Sequence, residues 1–268
     1  MAESARQQTT APPISLTEAL AAIDRIEPVA ATVVELVRAA GLTLAGDAIL
    51  GSTKLRLAGA RLRRIDIAQL TGAGIADVAV RVPRLLIVTG GAGESTRAMI
   101  KGAIEGEGGV VAEVTTETAL AKDDFDAAIA FADQETTHAL QPTTFDGVAL
   151  SPGGGISFGH AGGRPFLVLP ARFNEALAAW LAIGRRFFAR LAFRLIEEQP
   201  YLLELARPIP STRGLAEIIA VRRRAAQVEP LLGDWTAESI ARADGWILMP
   251  AESDGFAAGT RVQMRPWP

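Results

Sequence analysis

Two glycine-rich loops hold the residues whose types and spacing could bind an anion. The first runs from Thr89 to Ser95 and the second from Ser151 to Ser157, and each follows a short apolar run that predicts a strand. Glycines let backbone N–H groups approach a ligand closely, and a helix start behind such a loop favours negative charge. Neither loop has the spacing of a P-loop or of GxGxxG. Two interpretations of each loop therefore stay open: a ligand-binding loop or a tight turn without a ligand.

The candidate ligand-binding residues come from these two loops and from the segment that follows the last predicted strand before a long helix. The first loop contributes Thr89, Gly90, Gly91, Gly93, Glu94 and Ser95, and the second contributes Ser151, Gly153, Gly154, Gly155 and Ser157. The segment after the strand contributes Arg172 and Asn174. Ligands of open α/β sheets bind beyond the carboxyl ends of the strands, which makes Arg172 the best charged candidate for an anion. A salt bridge at a helix start is its alternative role.

Several kinds of chemistry have little support in this sequence. The chain has no cysteine, which excludes disulfides, thiolate metal sites and cysteine nucleophiles. Its two histidines, His138 and His160, are too far apart along the chain to suggest a zinc site. Asp123, Asp124 and Asp126 could bind magnesium, although a solvated loop is the alternative. A GxSxG elbow is missing, so nucleophilic catalysis is not indicated.

Composition and charge narrow the class of protein further. The net charge of −3 argues against a general nucleic-acid binder, which would be basic. No apolar run approaches the roughly 18 residues that a membrane span needs, and the N-terminus lacks the apolar core of a secretory signal. We therefore expect no nucleic-acid or membrane partner and a cytoplasmic location. Residues 1–13 read as a disordered lead-in that ends at two prolines.

Residues 14–82 predict an N-terminal α+β region for docking or dimerisation. Ser15 and Glu18 have the spacing of a capping box, and apolar residues at helical spacing follow them. Residues 33–40 predict a second helix that ends at Gly41, and residues 41–64 predict short strands among glycines.

Residues 83–199 predict an α/β domain, and residues 200–268 predict a small β-barrel. Strands are expected at 85–88, 110–114, 127–131, 148–150 and 165–169, with a helix after the first strand and a helix over 174–194. Strands that alternate with helices imply a mostly parallel sheet covered on both faces, which is a three-layer arrangement. In the last region, short apolar runs separated by glycines predict an all-β module.

Four segments resemble the molybdopterin molybdotransferase family, which carries out the last step of molybdenum cofactor synthesis. They are ISLTEALAAI, LRLAGARLRRIDIAQLTGAGIADVAVRVPRLLIVTGG, VALSPGGGISFGHAGGRPFLVLP and SIARADGWILMPAESDGFAAGTRVQM. They lie in the family's order and cover residues 14–264. The resemblance implies a molybdopterin-binding domain, a C-terminal barrel, and a homodimer formed through the first domain. It also implies molybdopterin or the molybdenum cofactor as ligand, and cofactor-synthesis proteins or a molybdoenzyme as partners.

The chain also departs from the family pattern at the positions that carry charge. The family's second, β-rich domain would fall between Val33 and Gly51, where there is no room for it. The two lysines of the family's Lys-Pro-Gly-Lys-Pro loop correspond to Ser151 and Gly154, and an acidic pair corresponds to Gly91 and Ala92.

Two further family motifs are altered. A Ser-Gly-Gly loop that ends in aspartate matches residues 131–138, and the Pro-Gly-Asn-Pro turn reads Pro170-Ala171-Arg172-Phe173. Phosphoryl chemistry depends on electrostatic positioning, so losing these lysines and carboxylates weakens both the anion clamp and magnesium binding. We therefore expect a divergent member with a retained pterin pocket and weakened or lost molybdate insertion. An active molybdotransferase with substituted residues and a non-catalytic interaction or regulatory protein are the alternatives.

Overall fold

A computed structural model describes residues 12–50, 52–115, 124–132, 143–196, 200–232 and 235–267. Most of the predicted lead-in, together with His138 and Asp123, lies outside these residues. The first helix, α1, spans Leu16–Ile23. Its predicted capping box is confirmed, because the Glu18 amide donates to Ser15 Oγ while the Ser15 amide donates to the Glu18 carboxylate. The helix buries Leu16 and Ile23 in the main core.

The N-terminal module comprises residues 27–82 and is built around a small antiparallel sheet. Its elements are β1 (Thr32–Glu35), a 3-10 turn (Leu36–Arg38), β2 (Thr43–Leu44), β3 (Ala48–Leu50), β4 (Thr53–Arg56), α2 (Arg64–Gly72) and β5 (Asp77–Arg81). The sheet order is β1-β5-β2, and β3 pairs separately with β4. The helix predicted over 33–40 is wrong: Val33 and Val34 lie in β1 opposite Ala79 and Val78. Two adjacent β-branched residues suit an extended strand better than a helix.

The central module follows, and its strands alternate with helices as predicted. Its elements are β6 (Arg84–Val88), α3 (Glu94–Gly106), β7 (Val110–Val114), β8 (Ala127–Phe131), β9 (Thr143–Asp146), β10 (Leu150–Ser151), β11 (Ser157–Ala161), β12 (Arg164–Leu169), α4 (Phe173–Ala179), a π-helical turn (Trp180–Gly184) and α5 (Arg185–Leu191). The sheet order is β7-β6-β8-β12-β11-β9, and its first four strands are parallel. Buried residues line both faces of this sheet, which confirms the α/β class.

The segment around the second glycine loop differs from its prediction. Val148 makes an isolated parallel β-bridge to Ile14. The strand β10 is not part of the central sheet; it pairs in parallel with a strand of the last module. The strands β9 and β11 were not predicted. His160, expected in a loop, lies in β11, where its ring is 5.6 Å from the ring of Phe158. Short strands on either side of a glycine turn carry too few residues to show a clear period.

The barrel module begins at Tyr201 and confirms the predicted small barrel. Its elements are β13 (Tyr201–Leu205), β14 (Ile209–Pro210), β15 (Ala216–Arg224), β16 (Gln227–Pro230), α6 (Ala237–Arg242), β17 (Gly245–Met249), β18 (Gly255–Phe256) and β19 (Arg261–Pro266). Five strands close in the order β15-β16-β13-β19-β17, since β17 pairs back onto β15. Within the described ranges, no helix has the length and apolar character to cross a membrane.

Candidate functional site

The carboxyl edge of the central sheet brings the two glycine-rich loops to the same side of the molecule. The first loop leaves the end of β6, and the Arg172 segment leaves the end of β12. Ser157 begins β11 opposite Val168, near the end of β12, so the second glycine loop also reaches this edge. The Thr96 hydroxyl, which is buried, donates to the Ala171 carbonyl at 3.3 Å and joins α3 to the Arg172 segment.

The first loop is fastened to the protein at both ends. The amide and the hydroxyl of Thr89 both donate to the Val114 carbonyl, at 2.8 and 3.1 Å, so Thr89 holds the ends of β6 and β7 together. Gly91 has a φ of +79°, which favours glycine. Gly93 is the N-cap residue of α3, so no side chain caps this helix start. Glu94 and Ser95, in the first turn, are exposed. Among these predicted ligand residues, Gly91, Gly93, Glu94 and Ser95 are exposed to solvent, whereas Thr89 and Gly90 are half-buried.

The second loop owes two of its three glycines to close packing against the protein itself. A Cβ on Gly153 would lie 2.7 Å from the Glu175 carbonyl oxygen, and one on Gly154 would lie 2.7 Å from the Val148 carbonyl oxygen. Gly155 is different, because it is exposed and the nearest atom to its Cβ would be 3.9 Å away. The close backbone approach that the sequence suggested therefore has a packing explanation at two positions.

The two serines of this loop already have structural roles. Ser151 lies in β10 opposite Glu217 of the barrel module. Ser157 is buried, and its hydroxyl donates to Asp146 Oδ1 at 2.5 Å. That hydrogen bond joins β11 to β9, so the Ser157 hydroxyl proton is used within the sheet.

A cavity of about 630 Å³ adjoins the second loop at the start of α4. Its lining comes from the glycine loop, from the start of α4 and from the start of α6: Pro152, Arg172, Phe173, Asn174, Glu175, Trp235, Thr236 and Ala237. The structure thus brings Arg172 and Asn174 together beside the second loop, whereas the Thr89–Ser95 loop is not among the described residues that form its wall. A volume of this size lies within the usual range for small-molecule sites, about 300–1,000 Å³.

Among the described residues, this cavity is lined by one cation, Arg172, and one carboxylate, Glu175. The Arg172 side chain is 82% exposed, and its Nη1 lies 3.8 Å from Glu175 Oε1. The predicted helix-start salt bridge is therefore present, but it is long and leaves most of the guanidinium facing solvent. A guanidinium beside an amide and two aromatic side chains, those of Phe173 and Trp235, can hold an anion next to a flat ring.

The described residues include no cluster of three or more histidine, aspartate or glutamate side chains that could hold a metal ion. Glu175, at the cavity, is paired with Arg172. Asp126 lies at the opposite edge of the sheet, where its carboxylate accepts a hydrogen bond from the Arg84 amide at 2.7 Å.

Sequence reasoning missed two contributions to this edge. Trp235 and Thr236 come from the barrel module, and no local pattern indicates that α6 lies beside Arg172. Arg97 was also missed: its Nη1 donates to the Ala92 carbonyl at 2.7 Å and supports the first loop from the helix behind it. An arginine in the second turn of a helix that follows a glycine loop is the signal that could have identified it.

Comparisons with known proteins agree with this architecture. No family model matches the chain. A molybdenum cofactor biosynthesis protein from Pyrococcus furiosus superposes with a TM-score of 0.82 at 20% identity, covering 96% of this chain and 100% of that chain. The MoeA molybdopterin biosynthesis protein from Pyrococcus horikoshii OT3 also gives 0.82, at 14% identity and the same coverage. At these identities the likeness shows the fold, and it confirms the resemblance at that level.

A curated relative also matches part of the chain. It is a Methanocaldococcus jannaschii protein assigned to molybdopterin biosynthesis, 26% identical over 132 residues. The match spans 48% of this chain and 31% of that relative.

Proposed function

We propose that this protein acts in molybdenum cofactor biosynthesis and binds molybdopterin or the finished cofactor at the carboxyl edge of its central sheet. The observation that carries the proposal is the cavity that joins a guanidinium, an amide and aromatic side chains beside the second glycine loop. The shared fold with molybdopterin biosynthesis proteins supports the same ligand class. Such a role implies a cytoplasmic protein that hands its ligand to, or receives it from, other cofactor-synthesis proteins or a molybdoenzyme.

Specific residues would hold the two parts of this ligand. Arg172 and the Asn174 side chain would bind the phosphate, since charged donors form the stronger hydrogen bonds to oxyanions. Phe173 and Trp235 would contact the pterin ring, which is flat and partly apolar. The bound pterin would supply the dithiolene sulfurs that hold molybdenum.

Molybdate insertion itself is proposed to be weakened or lost. By the family resemblance, two loop lysines correspond to Ser151 and Gly154. At Gly154 any side chain would meet two carbonyl oxygens within 2.8 Å, so the loop in this conformation has no space for a lysine there. Without these cations, and with no magnesium cluster among the described residues, the developing charge of phosphoryl transfer has little to stabilise it.

Anaerobic titration with molybdopterin tests the binding proposal. We expect the wild-type protein to bind, and Arg172→Ala to bind about fivefold more weakly, since an exposed charge contributes about 1 kcal/mol. Arg213→Ala, which removes an exposed arginine of the barrel module paired with Asp254, is the matched control and should bind like wild type. A wild-type sample that does not bind molybdopterin would contradict the proposal. Restored molybdoenzyme activity in a strain without its molybdotransferase would instead indicate an active enzyme.

We also propose a homodimer formed through the N-terminal module. The edge strand β1 exposes Val33, and the 3-10 turn after it exposes Val37; both side chains are about 70% accessible. Exposed apolar residues on an open strand edge favour association. We expect sedimentation at micromolar concentration to show a dimer for the wild type and a monomer for the double variant Val33→Asp, Val37→Asp. Val110→Asp, on the edge strand of the central sheet, should remain dimeric. A monomeric wild type would rule this interface out.

A further inference from the structure

Two further cavities meet at the C-terminal end of α3. The basic pocket has a volume of about 330 Å³ and is lined by Arg56, Arg61, Arg63, Arg185 and Arg194. The apolar pocket has a volume of about 530 Å³ and is lined by Met99, Leu177, Ile240, Ala243 and Trp267. Arg61, Glu107 and Trp180 line both pockets, so the two adjoin.

The basic pocket gathers positive charge from distant parts of the chain. Among the described residues that line it, five are arginines and one, Glu107, is a carboxylate. Glu107 pairs with Arg194, and Asp66, which is fully buried, pairs with Arg56 and Arg63. Two of the five arginines, Arg61 and Arg185, have no part in these three ion pairs.

Two guanidinium groups of this cluster have an N–H group without a hydrogen-bond acceptor among the described residues. Arg61 is held by backbone carbonyls, with Nε donating to Gly41 at 3.1 Å and Nη2 donating to Gly106. The Nε atoms of Arg56 and Arg194 are buried and have no hydrogen-bond partner among the described residues. Burial, and then the positive charge of Arg61, lower the pKa of Arg194 to about 10. Buried cations without full pairing are unfavourable, and an anion among them would relieve that penalty.

Capping of α3 accounts for only part of this cluster. Arg61 and Arg194 donate to the Gly106 and Glu107 carbonyls, which is a familiar role for cations at a helix C-terminus. That role does not require Arg56, Arg63 and Arg185 to converge on the same cavity.

A π-helical turn begins at Trp180, the residue of this turn that lines both pockets. The Trp180 indole lies so close to Gly184 that a Cβ on Gly184 would be 2.2 Å from Cε3. Single π-helical turns occur frequently at functional sites, because they shift side chains out of the regular helical register. This turn places one aromatic residue, Trp180, against both the charged and the apolar cavity.

We infer that the joined pockets bind a small molecule with an oxyanion such as phosphate at one end and a flat aromatic ring at the other. Guanidinium forks match the geometry of phosphate oxygens, and an apolar cavity with methionine and tryptophan suits a ring. This site goes beyond the proposed function, because it shares no residue with the cavity that contains Arg172.

Calorimetric titration of the full chain with three probes tests the inference. The probes are 1-naphthyl phosphate, inorganic phosphate and 1-naphthol, so that each end of the ligand is also measured alone. We expect 1-naphthyl phosphate to bind at least about tenfold more tightly than either fragment, and to bind more weakly as salt is added. No binding of 1-naphthyl phosphate, or equally tight binding of 1-naphthol, would overturn the proposal.

Two variants locate the binding to these pockets. Gly102 lies in α3 and lines the apolar pocket, and a Cβ there would meet nothing within 4 Å. We therefore expect Gly102→Leu to fold and to obstruct the part of the cavity where the ring would bind. It should remove the advantage of 1-naphthyl phosphate over phosphate and leave phosphate binding unchanged. Arg61→Gln should weaken both phosphate-bearing probes about tenfold.

Matched controls separate the pocket from the rest of the surface. Gly72→Leu adds the same side chain at an open position in α2, and Arg213→Gln removes an exposed arginine of the barrel module. Both controls should bind all three probes like wild type. If Arg61→Gln has a lowered Tm, Gly102→Leu decides the question by itself. Unchanged binding of 1-naphthyl phosphate by Gly102→Leu would place the probe elsewhere and refute the site.

Discussion

Replacing Gly153 with alanine is expected to lower the free energy of unfolding by about 3 kcal/mol. Two effects add at this position. Its φ of +98° is unfavourable for alanine, by about 1–2 kcal/mol, and the new Cβ would lie 2.7 Å from the Glu175 carbonyl and 3.0 Å from the Ala179 amide nitrogen. Both neighbours are backbone atoms of α4, which cannot move aside without shifting the helix, and such overpacking adds about 1–3 kcal/mol.

Urea unfolding of Gly153→Ala and Gly155→Ala measures this effect within a single loop. Gly155 is exposed, has no positive φ, and offers 3.9 Å to its nearest neighbour, so alanine there should change stability by less than about 1 kcal/mol. Equal stability of the two variants would contradict the packing explanation of the glycine run. The comparison also bears on function, because a loop fixed against α4 keeps Pro152 at the wall of the candidate cavity.

Replacing Asp66 with asparagine is expected to destabilise the protein by about 2 kcal/mol at neutral pH. The Asp66 side chain is fully buried at the start of α2. Its carboxylate accepts a hydrogen bond from the Arg63 amide at 2.8 Å and forms an ion pair with Arg56 Nη2 at 3.1 Å. Breaking a buried pair leaves the partner charge uncompensated, with a penalty of about 3–5 kcal/mol when both groups are buried. The penalty is smaller here because the Arg63 side chain is 65% exposed.

The same substitution should remove a pH dependence of stability. The hydrogen bond from the Arg63 side chain, followed by its backbone hydrogen bond and the Arg56 and Arg63 charges, lowers the pKa of Asp66 against the opposing effect of burial. A carboxyl whose pKa is lowered on folding stabilises the protein fully above its unfolded pKa, about 3.9. That contribution disappears as the pH falls through the lower, folded-state pKa.

Urea unfolding at pH 7 and at pH 3 tests whether the stabilisation by Asp66 decreases towards acid pH. The stability difference between wild type and Asp66→Asn should shrink as the pH is lowered. Asp77→Asn, at the exposed start of β5, is the matched control and should show little difference from wild type at either pH. A difference that grows towards acid pH would mean that Asp66 is not the stabilising ionised partner.

Local sequence patterns identified most of the central module correctly. The strands β6, β7 and β8, the helix α3 and the capping box at Ser15 depend on residues within a few positions of one another, so a short window contains their signal. A small β-barrel was also predicted, from apolar runs separated by glycines, and the structure shows that five strands form it. The helix predicted from local spacing at residues 33–40 was wrong, because residues 32–35 pair with β5 as a strand instead.

The candidate site was only partly predictable. The sequence placed Arg172 and the second glycine loop at one edge of the sheet, because the ends of parallel strands meet there. It did not predict that α6 would complete the cavity with Trp235, or that Leu150 and Ser151 would join the barrel. These contacts connect residues far apart along the chain, and no local period encodes them.

The sequence by itself determined the class of fold, the resemblance to molybdopterin-synthesis proteins and the loss of loop lysines. Tertiary structure decided what the glycines do. Gly153 and Gly154 allow backbone to pack on backbone, whereas the exposed Gly155 has space beside it. It also decided that arginines from two distant segments, residues 56–63 and 185–194, share one pocket. The physical reason is the same in both cases: a side chain's role depends on the atoms that folding brings to it, and those atoms belong to distant residues.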